Sequence, residues 1–209
     1  CLISVMFWAF YFQMFMSLTL FISRAVEPTL FGFPCPPPYY VAIQSLGMIL
    51  IGIFLARDKV DRSQSDKTIR AGNKFLLSMI TMTLAYALIV WVTHVSLDSE
   101  QLLSPLWIIP AYLLISLAEL LLSPVGLCAI TLLANRNHVS TMMGIFFVSL
   151  GIGGFLSGKL ATLTAIPVGE LSPLAIKMHY EMAFTKIFWI LLGLTISCFI
   201  LNYFIRRLM

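Results

Sequence analysis

The chain has 209 residues, 60% of them hydrophobic and only 11% charged, with a mean hydropathy of +0.96. Soluble domains carry roughly 25% charged residues, so the composition excludes a water-soluble globule and points to an integral membrane protein. The formal net charge of +4 comes without a basic stripe interleaved with aromatics, which leaves no footprint for nucleic acid. The four cysteines (Cys1, Cys35, Cys128, Cys198) show neither C-x-x-C nor Cys/His spacing, so neither a metal centre nor a disulfide framework is read from them.

A helix needs about 20 apolar residues to cross ~30 Å of hydrocarbon. Six segments qualify, at about 2–24, 39–57, 74–94, 105–134, 139–164 and 182–206, and predict one all-α bundle over residues 1–209. The first begins inside an apolar run at Cys1. It has no charged region ahead of a short apolar stretch, so no cleavable signal peptide is expected, and further chain upstream is. Gln13, Ser17 and Arg24 follow one another along a face of this span. Gln13 and Ser17 either line a cavity or bond to other helices. Arg24 and Glu27, three apart just before Pro28, form either a gate or an ordinary surface pair. The second span is entered through Pro34-Cys35-Pro36-Pro37-Pro38 and contains Gln44, which is open to the same two readings as Gln13.

The connection after the second span holds Arg57, Lys59, Arg62, Lys67, Arg70 and Lys74, with Asp58, Asp61 and Asp66 among them. With Arg136, Arg206 and Arg207 this side carries nine basic residues. The opposite side has four, Arg24, Lys159, Lys177 and Lys186. The imbalance predicts both termini in the cytoplasm. Lys159 and Lys186 lie near span ends, where long side chains reach the interface. The three histidines (His94, His138, His179) fall at span ends or in loops, which offers no proton relay through mid-membrane.

The fourth span carries one carboxylate, Glu119, near the middle of an otherwise uncharged stretch from Pro105 to Ala134. A charge at the bilayer centre costs ~2.5–3.5 kcal/mol on insertion scales, which makes such a residue a functional-site candidate by default. Tyr112, Ser116, Ser123 and Gly126 share its face at steps of three and four, while Leu113, Leu114, Leu117, Leu120 and Leu121 cover much of the rest. Pro124 cannot bond the Leu120 carbonyl and should kink the helix; Gly126 permits close approach by a neighbour. Glu119 is therefore read as a cavity residue, against two plainer options: a structural partner for a group on another helix, or a permanently protonated acid. In the fifth span Gly154 and Gly158 form a G-x-x-x-G packing signal beside Gly151 and Gly153. Phe146 and Phe147 are either packing or an aromatic wall. Six spans are either a complete small membrane protein or one half of a transporter built from repeats.

The stretch Leu114-Ile115-Ser116-Leu117-Ala118-Glu119-Leu120-Leu121-Leu122-Ser123-Pro124-Val125-Gly126-Leu127 closely resembles the tenth helix of the proton-dependent oligopeptide transporters, a family of the major facilitator superfamily. Met142-Met143-Gly144 resembles the start of that family's eleventh helix, and Phe7-Trp8 through Gln13 to Ser17 its seventh. The resemblance covers the whole chain in order. It implies the carboxy-terminal six-helix half of a major facilitator fold, helices seven to twelve, in a bacterial inner-membrane symporter for di- and tripeptides. The transporter would work by alternating access and not as an enzyme, with protons as the coupling ion, no cofactor and an amino-terminal six-helix half as partner. It further implies that Glu119 attracts the peptide amino group and that Ser123, Gln13, Ser17, Gln44, Phe146 and Phe147 complete this side of the site. Gln44 stands where the family usually has a cavity asparagine, and Phe146 where many members have tryptophan. Phe12 stands where many members have an acidic residue of an interdomain salt bridge, so gating here must differ or use another carboxylate such as Glu27. The basic and acidic residues that the family uses for the peptide carboxylate and the proton belong to its amino-terminal half and have no counterpart here. A major facilitator transporter of another small solute (nitrate, a drug, an amino-acid-like molecule) and a non-transporting membrane scaffold are the two rival readings.

Overall fold

Apolar runs of membrane-crossing length become helices in a computed structural model of the chain, which describes residues 2–56, 67–98, 102–133, 138–166 and 172–208. Six helical spans, Leu2–Ala25, Pro38–Leu55, Gly72–Val95, Pro105–Cys128, Val139–Thr164 and Pro173–Phe204, are each long and apolar enough to cross a bilayer. The protein is an integral membrane protein with a six-helix transmembrane bundle. The helices are α1 (Leu2–Tyr11), α2 (Ser17–Ala25), α3 (Pro38–Ala56), α4 (Lys67–Val95), α5 (Ile109–Leu133), α6 (Val139–Ala161) and α7 (Pro173–Leu208). The basic connection from Arg57 to Asp66, Ala134 at the end of the expected fourth span, and Arg136 lie outside the described residues.

The first span is broken where a single helix was expected. α1 ends at Tyr11, one 3-10 turn covers Phe12–Met14, and α2 starts at Ser17 after Met16 leaves helical geometry (φ −105°, ψ −84°). Neither proline nor glycine lies at the break. Non-helical backbone at membrane depth persists only where protein or cavity water satisfies it, and side chains from three helices do so here. The Tyr86 hydroxyl of α4 donates to the Phe10 carbonyl at 2.9 Å, and the Met14 carbonyl accepts from Thr19 at 2.8 Å and Tyr112 of α5 at 3.5 Å.

The last span also departs from expectation, beginning at Pro173 and not near residue 182. Pro173 has its φ pre-set for a helix start, and the Ser172 hydroxyl caps it by accepting the Ala175 N–H at 3.3 Å. The polar residues that make this turn look like loop in sequence are absorbed by partners. Lys177 is buried and donates to the Ser96 carbonyl at 3.1 Å, Glu181 meets His94 at 3.6 Å, and the Tyr180 hydroxyl accepts from Arg24 at 3.3 Å. Arg24 and Glu27 are not an ion pair among the described residues; the Glu27 carboxylate instead accepts from Thr29 at 3.5 Å.

The first span is the hub. α1 lies along α6, α2 meets α7, and α4 packs against both α5 and α7, while α3 leans on α5. Phe7, Phe10, Phe21, Tyr86, Tyr112 and Phe184 are fully or almost fully buried at these crossings. The tightest approach of α1 and α6 is at Gly153: a Cβ there would sit 2.5 Å from the Trp8 Cβ and 2.9 Å from the Val5 carbonyl oxygen. The expected G-x-x-x-G does not make this contact. A Cβ on Gly154 would meet Phe12 at an ordinary 3.6 Å, and one on Gly158 would meet nothing within 4 Å. One small β element joins the first two spans, a hairpin of β1 (Thr29–Leu30) and β2 (Phe33–Pro34). Its two turn residues, Phe31 and Gly32, both have positive φ (52° and 82°), as a type I′ turn requires.

Candidate functional site

Glu119 lies half-buried on α5, against which α3 packs. The Gln44 side-chain amide donates to Glu119 Oε2 at 2.7 Å. The same Nε2 donates to the Tyr11 hydroxyl oxygen at 3.4 Å, and the Tyr11 hydroxyl adjoins and interacts with the Glu119 carboxylate. One carboxylate, one amide and one phenol from three spans thus meet at one point. The positions are set locally. Gly47, one turn on from Gln44, lets α3 approach α5 so closely that a Cβ would meet Leu113 Cδ2 at 2.7 Å. The Ser116 hydroxyl reinforces the contact by donating within hydrogen-bond distance to the Gln44 carbonyl (2.8 Å) and to its own helix at Tyr112 (2.9 Å). Tyr40 and Tyr112 pack with ring centroids 5.6 Å apart just beyond.

The polar stripe on α5 is divided among several neighbours. Tyr112 and Ser116 are buried against other helices, and Gly126 faces Phe146 and Phe75, whose rings would be 2.9 Å and 3.4 Å from a Cβ at that position. Pro124 sits inside a helix that continues through it to Leu133. Ser123 is half-buried one turn beyond Glu119. Glu119 is the charged group of the stripe, and its partners here are neutral donors. No ion pair involves it among the described residues. Chemically, such a carboxylate is ready to accept a cationic donor, whether an ammonium group or a proton.

Gln13 and Ser17 are fully buried and do not line an open surface. The Gln13 amide donates to the Ser157 carbonyl at 2.7 Å and to the Ser157 hydroxyl at 2.9 Å. Its own oxygen accepts from Ser17 at 2.6 Å, and Ser17 in turn accepts from Thr164 at 2.9 Å. The structure takes the interhelical alternative for both: a four-residue polar chain ties the broken first span to the fifth. Phe146 is buried against Gly126, whereas its neighbour Phe147 is 57% exposed. Only Phe147 of this pair presents an aromatic surface outward. The residue that the sequence left unmarked is Tyr11. Its signal was weak, because a tyrosine in an aromatic-rich span looks like packing.

The PTR2 model of the POT family matches residues 1–182. Dipeptide and tripeptide permease B of Shigella dysenteriae is 27% identical over 205 residues, covering 98% of this chain and 42% of the permease. Dipeptide and tripeptide permease A of Edwardsiella piscicida is 28% identical over 183 residues, with coverage of 86% and 36%. The fold is similar to that in the crystal structure of tetrameric PepTSo2, with a TM-score of 0.76 and 26% identity over 100% of this chain and 42% of that one. The chain therefore spans less than half the length of these relatives. A family match over most of its residues, on a bundle of the same fold, shows that the chain belongs to the POT family.

Proposed function

We propose that this chain forms the carboxy-terminal half of a proton-coupled symporter for di- and tripeptides, in which Glu119 receives the peptide amino group. The observation that carries the reading is the Glu119 carboxylate itself. It sits in an apolar helix, oriented by Gln44 and Tyr11 and without a fixed cation among the described residues. In a medium of low effective dielectric an ammonium is its strongest available partner. The names of the permeases that it resembles agree with a peptide substrate. Transport needs the amino-terminal six-helix half, which would supply the groups for the peptide carboxylate and for the proton, and which would rock against this half to expose the site alternately to either side. The loop charges put both termini on the cytoplasmic face of a bacterial inner membrane.

The test is uptake of a labelled dipeptide by the complete transporter in proteoliposomes under an inward proton gradient. Glu119→Gln is expected to lower kcat/KM by at least about tenfold, because a charge-assisted bond worth roughly 1.5–3 kcal/mol is lost. Wild-type uptake retained by Glu119→Gln overturns the role of Glu119.

A further inference from the structure

Tyr11 is enclosed by four aromatic rings of its own span. Its ring lies 6.1 Å from Phe7, stacked, and 5.1 Å from Trp8, edge to face, with Phe12 at 5.6 Å and Phe15 at 6.2 Å. The side chain is 7% exposed, so the ring has no room to swing. It is also the last residue of α1, immediately before the 3-10 turn. That hydroxyl oxygen accepts from Gln44, which leaves its own hydrogen to be donated, and the same Gln44 amide holds the Glu119 carboxylate next to it. Gln44 Nε2 reaches both oxygens, at 3.4 Å and 2.7 Å, and closes the three groups into one ring of contacts.

We propose that Tyr11 is the positioning residue of the Glu119 site: its caged hydroxyl, acting with Gln44, aims the carboxylate at the incoming ammonium group. Both donors are neutral. They hold the acid in one orientation without supplying the positive charge that would make a ligand's ammonium redundant. A phenylalanine at this position would keep the aromatic cage and lose only the donor. The inference rests on the reading of Glu119 as the amino-group site.

The experiment measures dipeptide uptake by the complete transporter carrying Tyr11→Phe, Glu119→Gln or both. Tyr11→Phe is expected to raise KM about tenfold with kcat within about twofold, because a hydrogen bond to a charged group is lost in the bound state. On the Glu119→Gln background the same change should add nothing, since groups that act through one another are not additive. An unchanged KM in Tyr11→Phe, with Glu119→Gln defective, overturns the positioning role and leaves the site reading intact. Additive defects overturn it as well, because Tyr11 would then act independently of Glu119. Full activity of Glu119→Gln removes the site reading, and the positioning role with it. A second measurement does not depend on how the phenylalanine variant folds. With 3-fluorotyrosine at position 11, the ¹⁹F signal in lipid nanodiscs should shift on adding dialanine, and the shift should vanish with Glu119→Gln. A signal that ignores dialanine in the otherwise wild-type protein overturns the proposal.

Discussion

At Glu119 a carboxylate in an apolar helix receives the Gln44 amide of another span at 2.7 Å, and the same amide reaches the Tyr11 hydroxyl at 3.4 Å. Gln13 shows the opposite use of a polar residue in a span: its amide is buried and bonded to Ser157 and Ser17. The two residues should therefore separate in experiment. Gln13→Ala is expected to destabilise the chain by roughly 1–2 kcal/mol, the sum of several interhelical bonds, and to leave the dipeptide KM of the complete transporter within about twofold. Thermal unfolding in detergent and uptake kinetics, run on the same variant, check both halves of that statement. Glu119 and Gln44 were legible as candidate residues because a polar group in an apolar run stands out, and the fold brings the two together at 2.7 Å. Gln13 stood out for the same reason and is not presented to an open surface, because its partner Ser157 lies 144 residues away in sequence. Tyr11 is not legible in this way, because a tyrosine in an aromatic-rich span reads as packing whatever its hydroxyl meets.

Besides the earlier start of the last span, two elements depart from their sequence reading, for different reasons. The first span breaks at Phe12–Met16 with no local breaker; the break is stabilised by Tyr86 and Tyr112, which reach it from α4 and α5. Tyr86→Phe should expose that dependence. It leaves the buried Phe10 carbonyl without this donor at a cost of about 1–3 kcal/mol, read as a lower melting temperature. The glycines of α6 differ among themselves although the motif treats them alike. Gly153→Ala should cost about 1–3 kcal/mol, since its Cβ would meet the Trp8 Cβ and the Val5 backbone and neither can yield easily. Gly158→Ala should fall within about 0.5 kcal/mol of the wild type, since nothing lies within 4 Å. Equal losses at the two positions would contradict this packing of α6.

For the whole molecule, the first span is the most buried of the six, and α4 packs against both α5 and α7 beside it. The span assignments follow from hydropathy alone, because a bilayer imposes length and composition on any helix that crosses it. The orientation rests on loop charge and has a direct check. In a background with the native cysteines replaced, Thr29→Cys on the hairpin should react with a membrane-impermeant maleimide in intact cells. His138→Cys, ahead of α6, should react only after permeabilisation. The reverse pattern would invert the proposed topology.

By itself the sequence determined the membrane class, the number of spans, the intramembrane acid and, through the Ser-Leu-Ala-Glu-Leu-Leu-Leu-Ser-Pro run, the family. These depend on composition and on residues adjacent in the chain, which a helix turns directly into a face. The tertiary structure decided which polar residues are spent on other helices and which are left to act. It also decided where the first span breaks and that Gln44 joins Tyr11 to Glu119. Those outcomes depend on which helices become neighbours, since a polar group in a membrane takes whatever partner the packing brings within reach.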